Sequence, residues 1–80
     1  MRILGIDPGY AILGYGIVEK KGNRFEVIDY GSVTTDAKER MPDRLKHLYY
    51  SLMEIIDEYN PDAAAVEELF LIPILKLQSR

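Results

Sequence analysis

Ile3-Leu4-Gly5-Ile6-Asp7-Pro8-Gly9 decides how this chain folds. It reads as a short apolar strand that ends in one carboxylate and breaks into a turn. Pro8 fixes its own φ and has no N–H to donate, and Gly9 tolerates φ > 0, so the strand is expected to stop at Asp7. Alternation puts Ile3, Gly5 and Asp7 on one face and Leu4 and Ile6 on the other. Both faces are mostly apolar, as in a strand covered on two sides. Asp7 is then expected at the carboxyl end of a central strand, where open α/β sheets gather their chemistry. Asp-Pro-Gly is also ordinary turn material. On this stretch alone the two readings weigh the same.

Outward from there, Ile12 to Glu19 reads as a second strand, with Gly14 and Gly16 on the same face as Ile12 and Val18. Two glycines on one face weaken a strand and mark close approach of another group. A packed helix is the favoured occupant, a substrate backbone the other. Lys20 to Arg24 is a polar hairpin turn. Phe25 to Thr35 is a third strand, with Phe25 and Val27 on one side and Glu26, Ile28 and Tyr30 on the other. The three strands make an antiparallel meander, followed by a charged loop, Asp36 to Arg40. Pro42 opens a helix where a missing N–H costs nothing, and Asp43 adds favourable charge to its first turn. Leu45, Leu48, Tyr49, Leu52, Ile55, Ile56 and Tyr59 recur at helical spacing as one apolar stripe. His47, the sole histidine, has no partner at ligand spacing and is expected in solvent. Asn60-Pro61-Asp62 ends the helix, since Pro61 disfavours helical geometry before it. Ala63 to Glu67 follows as a fourth strand. Alanine is a poor strand former; the strand–helix–apolar-run order, a crossover unit, is what argues for it.

Length and composition set the bounds. The chain has 80 residues, a formal charge of −3, 48% hydrophobic residues and no cysteine. A domain this small buries roughly 60% of its unfolded surface and is marginally stable. Disulfides and thiol chemistry are excluded. The mild acidity argues against a self-sufficient nucleic-acid binder. No apolar run approaches the roughly 20 residues of a membrane span, and no signal peptide precedes the first strand, so a cytoplasmic protein without membrane contact is expected.

If the crossover lays the fourth strand parallel to the first, their carboxyl ends meet at one rim, about 4.8 Å apart. Asp7 and Glu67 then become neighbours. Two carboxylates that close repel, so one holds a proton or both face a cation. Oxygen ligands with several waters suit Mg²⁺ or Mn²⁺. Such an ion polarises a phosphoryl oxygen and generates a nucleophilic hydroxide. Glu68 competes with Glu67, but neighbouring strand residues face opposite ways, and Glu67 shares its side with the small Ala63 and Ala65. Turn residues with no metal role are the plain alternative for both acids.

Ile6-Asp7-Pro8-Gly9, Gly14-Tyr15-Gly16, Pro42-x-Arg44-Leu45, Asn60-Pro61-Asp62 and Ala65-Val66-Glu67-Glu68-Leu69-Phe70, in this order, resemble the N-terminal half of the RuvC-type Holliday junction resolvases. The likeness runs from about residue 2 to residue 70. It implies an α/β fold, a ribonuclease H-like mixed sheet with the meander, the helix and a fourth strand parallel to the first, here truncated before the fifth strand and the C-terminal helices. It implies a homodimeric, Mg²⁺-dependent endonuclease that nicks four-way junction DNA symmetrically in recombination and repair, and works with a branch-migration helicase. The family's first two acidic metal ligands map onto Asp7 and Glu67, and its base-stacking aromatic onto Phe70. From the residues alone Phe70 is a core residue.

The resemblance also has limits. The family carries two further acidic ligands near its C-terminus that this chain lacks. The stretch Leu71 to Arg80 is apolar, interrupted by Pro73, and unlike the family's polar loop. Residues 1–70 are therefore expected to be part of a nuclease domain and 71–80 an atypical tail. Without a fifth strand, the fourth is expected to be an open edge that invites aggregation. With two ligands only, the chain is expected not to cut junctions by itself. An actin-like or sugar-kinase-type ATP-binding half domain shares the opening strand, but Pro8 and Tyr10 stand where its phosphate loop would be small. Related putative resolvases and RNA-processing nucleases share the aspartate, and a non-catalytic structural module remains the third reading.

Overall fold

The computed structural model describes residues 1–9, 11–66 and 70–74, with the backbone alone for residues 70 and 71. The elements are β1 (Arg2–Pro8), β2 (Ile12–Lys21), β3 (Arg24–Thr34), α1 (Met41–Tyr59), β4 (Ala63–Val66) and β5 (Phe70–Pro73). They form one sheet in the order β3-β2-β1-β4-β5, with α1 on one face. β1, β2 and β3 are the antiparallel meander, and β4 returns parallel to β1, pairing Ile3 with Ala63 through Ile6 with Val66.

The alternation of β1 decides which face α1 covers. Leu4 pairs with Ile17 and Ile6 with Tyr15. Leu4 and Ile17 have no exposed surface, and with Leu13, Val33 and Ile55 they form the core beneath the helix. Ile3, Gly5 and Asp7 lie on the opposite face, as alternation required. Partners across a strand pair share a face, so Gly14, paired with Asp7, and Gly16, paired with Gly5, also face away from α1. The packed helix expected over these two glycines is on the other side of the sheet.

Polar contacts fix the register at the amino end of β1. The Arg2 backbone N–H donates to Asp62 Oδ2 at 2.8 Å, and the Asp62 N–H donates to the Arg2 carbonyl at 2.8 Å. The Arg2 guanidinium reaches the Tyr59 carbonyl at 2.8 Å and Glu19 at 3.1 Å. Glu19 is held below its ordinary carboxylate range, first by the Met1 ammonium and then by Arg2. On the edge strand, Asp29 accepts from the Tyr59 hydroxyl, joining β3 to the end of α1.

Several expectations change. β1 runs through Pro8, and Gly9 is not in the left-handed region. Glycine is needed at 9 for closeness: a Cβ there would lie 2.6 Å from the Ile12 carbonyl oxygen. α1 starts at Met41, one residue before Pro42. The helical stripe is narrower than its apolar residues: Leu48, Leu52, Ile55, Ile56 and Tyr59 pack on the sheet, while Leu45 and Tyr49 are 56% and 59% exposed. In β3 the register shifts after Ile17, so Ile17 pairs with Asp29 but Val18 with Val27, leaving Ile28 as a bulge. A bulge inserts one residue and reverses the alternation beyond it. Tyr30 therefore shares the face of Val27, not of Glu26. His47 is exposed, as expected. Asn60 ends the helix in a left-handed conformation (φ 49°), its N–H on the Ile56 carbonyl at 2.8 Å.

The tail brings the largest correction. Phe70 to Pro73 turns back along β4 as an antiparallel fifth strand, from Val66 opposite Phe70 to Ala63 opposite Pro73. The expected open edge at β4 is covered, and among the described residues the outer strands of the sheet are β3 and β5.

Candidate active site

Asp7 stands one residue from the carboxyl end of β1, exposed, on the face that α1 leaves bare. β1 can present it there because its backbone is held on both sides: β2 pairs through Gly14 and Leu13, and β4 pairs as far as Ile6–Val66. The carboxylate borders an open trough of about 640 Å³ lined by Gly5, Asp7, Gly14, Gly16, Val18 and Ala65. The trough owes its depth to missing side chains. A Cβ on Gly14 would meet Asp7 atoms only at 3.8 and 3.9 Å, and one on Gly5 the Gly16 carbonyl at 3.8 Å. These are ordinary contact distances, so among the described residues no neighbour requires glycine at either position. Bare backbone here keeps the floor low beside the carboxylate.

Gly31 is different. A Cβ there would lie 2.8 Å from Tyr15 Oη and 3.0 Å from Cζ, because the Tyr15 ring lies over it beneath the helix. An aromatic ring over its paired glycine shields an edge strand that has no side chain of its own at that point.

The structure places Asp7 where its motif predicted. Glu67 and Glu68 lie outside the described residues. Phe70 is described by its backbone, which pairs with Val66. Among the described residues no group of three or more His, Cys, Asp or Glu side chains comes together. Asp7 is a hard oxygen donor beside open space, which suits a hydrated divalent ion with the chemistry of Mg²⁺ or Mn²⁺.

Two buried polar residues at the same rim were not among the expected site residues. Arg44, on the first turn of α1, and Thr35, just past β3, are 6% and 5% exposed. Arg44 Nε donates to Thr35 Oγ1 at 3.3 Å. Thr35 donates twice to the Ala11 carbonyl, from its N–H at 2.8 Å and its hydroxyl at 3.3 Å. The one signal was an arginine between Asp43 and Leu45 in the first turn of a helix; its buried partner belongs to a stretch that reads as strand end and loop.

The family model described as crossover junction endodeoxyribonuclease RuvC matches residues 3–75. The chain belongs to the RuvC family. A RuvC from Alkaliphilus metalliredigens (strain QYMF) is 63% identical over 70 residues, covering 88% of this chain and 43% of that protein. One from Thermosipho melanesiensis is 46% identical over all 80 residues, 51% of its own length. Among solved structures, T. thermophilus RuvC in complex with Holliday junction substrate superposes with a TM-score of 0.76 at 33% identity, over 88% of this chain and 44% of that one. A second Thermus thermophilus RuvC structure gives 0.72 at 33% identity over 86% of this chain and 46% of that one. The fold is thus the ribonuclease H-like sheet of RuvC, and this chain spans about half the length of the RuvC relatives it matches.

Proposed function

We propose that this chain is the N-terminal part of a structure-specific endodeoxyribonuclease that cuts four-way DNA junctions in recombination and repair. The observation that carries the reading is Asp7, exposed at the rim of a RuvC sheet beside a trough floored by Gly5, Gly14 and Gly16. Its proposed companion is Glu67, the residue next to Val66, whose partner Ile6 is next to Asp7. Together they would hold Mg²⁺, or Mn²⁺ in its place. The ion, when bound, neutralises charge on a phosphodiester and lowers the pKa of a bound water.

The rest of the work falls to the chain. Asp7 supplies carboxylate oxygens as hard ligands to the ion. The low floor admits a phosphodiester backbone where side chains would exclude it. Phe70 is the proposed stacking residue for junction bases, since aromatic faces accept any unstacked base. A net charge of −3 supplies no general attraction to DNA, so tight binding is assigned to the complete, homodimeric enzyme and its helicase partner in the cytoplasm. Two carboxylates hold Mg²⁺ weakly, since it gives up its waters reluctantly, and this chain by itself is expected to leave junctions uncut.

The test is a Mn²⁺ titration of the isotopically labelled chain. Substoichiometric Mn²⁺ is expected to broaden amide signals around Asp7 first, and Asp7→Asn to remove that preference. Broadening of the same signals that persists in Asp7→Asn would refute the reading.

A further inference from the structure

We propose that Arg44 and Thr35 are positioning residues: they fix the turn that follows Asp7, and so the pose in which Asp7 meets its metal. This rests on the reading of Asp7 as a metal ligand. Only residues 9–11 separate β1 from β2. That turn is closed internally by the Gly9 N–H on the Ile12 carbonyl at 2.8 Å. Among the described residues, the Ala11 carbonyl ties it to the rest of the fold. Such an oxygen has two lone pairs, and Thr35 supplies two donors to it, N–H at 2.8 Å and hydroxyl at 3.3 Å.

A hydroxyl can rotate away from an acceptor. Here Arg44 Nε, at 3.3 Å, donates to the Thr35 oxygen and so directs the hydroxyl proton toward Ala11. The relay is directional: guanidinium to hydroxyl, hydroxyl to carbonyl. Val33 pairs with Leu13, and Leu13 with Pro8, so Thr35 emerges from β3 at the same rim as Asp7.

Packing alone does not account for a buried guanidinium. Burying a charged group costs solvation, and apolar residues of similar volume often replace buried ionic groups with no loss of stability. What an apolar residue cannot do is orient the hydroxyl. Groups that orient metal ligands directly are worth about 10- to 100-fold in affinity. This relay acts through the backbone one step further away, and about three- to tenfold is expected.

The experiment compares Thr35→Val, which keeps the shape and removes the hydroxyl, with Thr35→Ser, which keeps the hydroxyl, and with Arg44→Met. Each is read by Mn²⁺ broadening of the signals around Asp7 and by its denaturation midpoint. Thr35→Val and Arg44→Met are expected to require about three- to tenfold more Mn²⁺, no more in combination than singly, with Thr35→Ser close to wild type. Should Arg44→Met fail to fold, the Val/Ser pair at 35 decides. Mn²⁺ binding that needs Asp7 but is unaffected by Thr35→Val overturns the relay alone. So does a Thr35→Ser variant as weak as Thr35→Val. Binding that does not need Asp7 overturns the metal-site reading, and the relay with it.

Discussion

Tyr59 and Asp29 show how one hydrogen bond ties a helix end to an edge strand. The phenol donates to the carboxylate, which pushes the Tyr59 pKa up to about 12 and holds Asp29 below its ordinary range. The contact needs a protonated phenol and an ionised carboxylate. For Tyr59 the folded value is the raised one, so its stabilisation is complete below pH 10 and disappears as pH rises through about 12. For Asp29 the folded value is the lowered one, so its stabilisation is complete above about pH 4 and is lost below that, as pH falls through the lowered value. Ultraviolet titration of the six tyrosines should find one ionising near pH 12, returning toward 10 in Asp29→Asn. At Gly31, an added methyl meets the Tyr15 ring at 2.8–3.2 Å. Gly31→Ala is expected to cost about 1–3 kcal/mol by denaturant unfolding, part of it recovered when combined with Tyr15→Leu. Of the rim residues, Asp7 was legible because strand, carboxylate and turn sit together in seven residues. Arg44 and Thr35 were not, because a hydrogen bond between a helix start and a strand end leaves no periodic trace.

The elements were legible to the degree that one neighbour sufficed to define them. β1, β2 and α1 carry alternation or helical spacing strong enough to give their faces. β4, rich in alanine, was accepted only because the crossover topology demanded it, and its pairing with β1 bears that out. Where a second element sets the outcome, reading by period failed. The bulge at Ile28 comes from matching β3 to β2, and the exposure of Leu45 and Tyr49 from a helix that rests on the sheet along a narrow line. The apolar tail gave no hint that its partner would be β4. One terminus offers a clean test. Asn60 adopts φ 49° and ψ 55° as it caps α1, a conformation that costs most side chains about 1–2 kcal/mol. Asn60→Gly should unfold at or above the wild-type midpoint, and Asn60→Ala about 1 kcal/mol below it.

At the scale of the whole molecule, apolar surface is left over on both sides. Val27, Tyr30 and Ile12 are 64%, 78% and 55% exposed on the bare face of the sheet, and Met41, Leu45 and Tyr49 on the helix. β3 adds an eleven-residue strand with no partner beyond it among the described residues, and its bulge blunts that edge. Exposed edges and patches promote association, and a net charge of −3 opposes it weakly. Sedimentation velocity should show self-association that grows with concentration and strengthens toward the isoelectric point near 5.0; a monomer throughout would contradict this. The parallel pairing of β1 with β4 also imposes an order of events during synthesis. Arg2 must wait for Asp62, sixty positions later, which at about 5–20 residues per second is roughly 3–12 s of translation. A hairpin closes in about 1–10 μs. The meander therefore assembles first, and the strand bearing Asp7 spends seconds on the ribosome with one flank unpaired, open to any extended chain nearby.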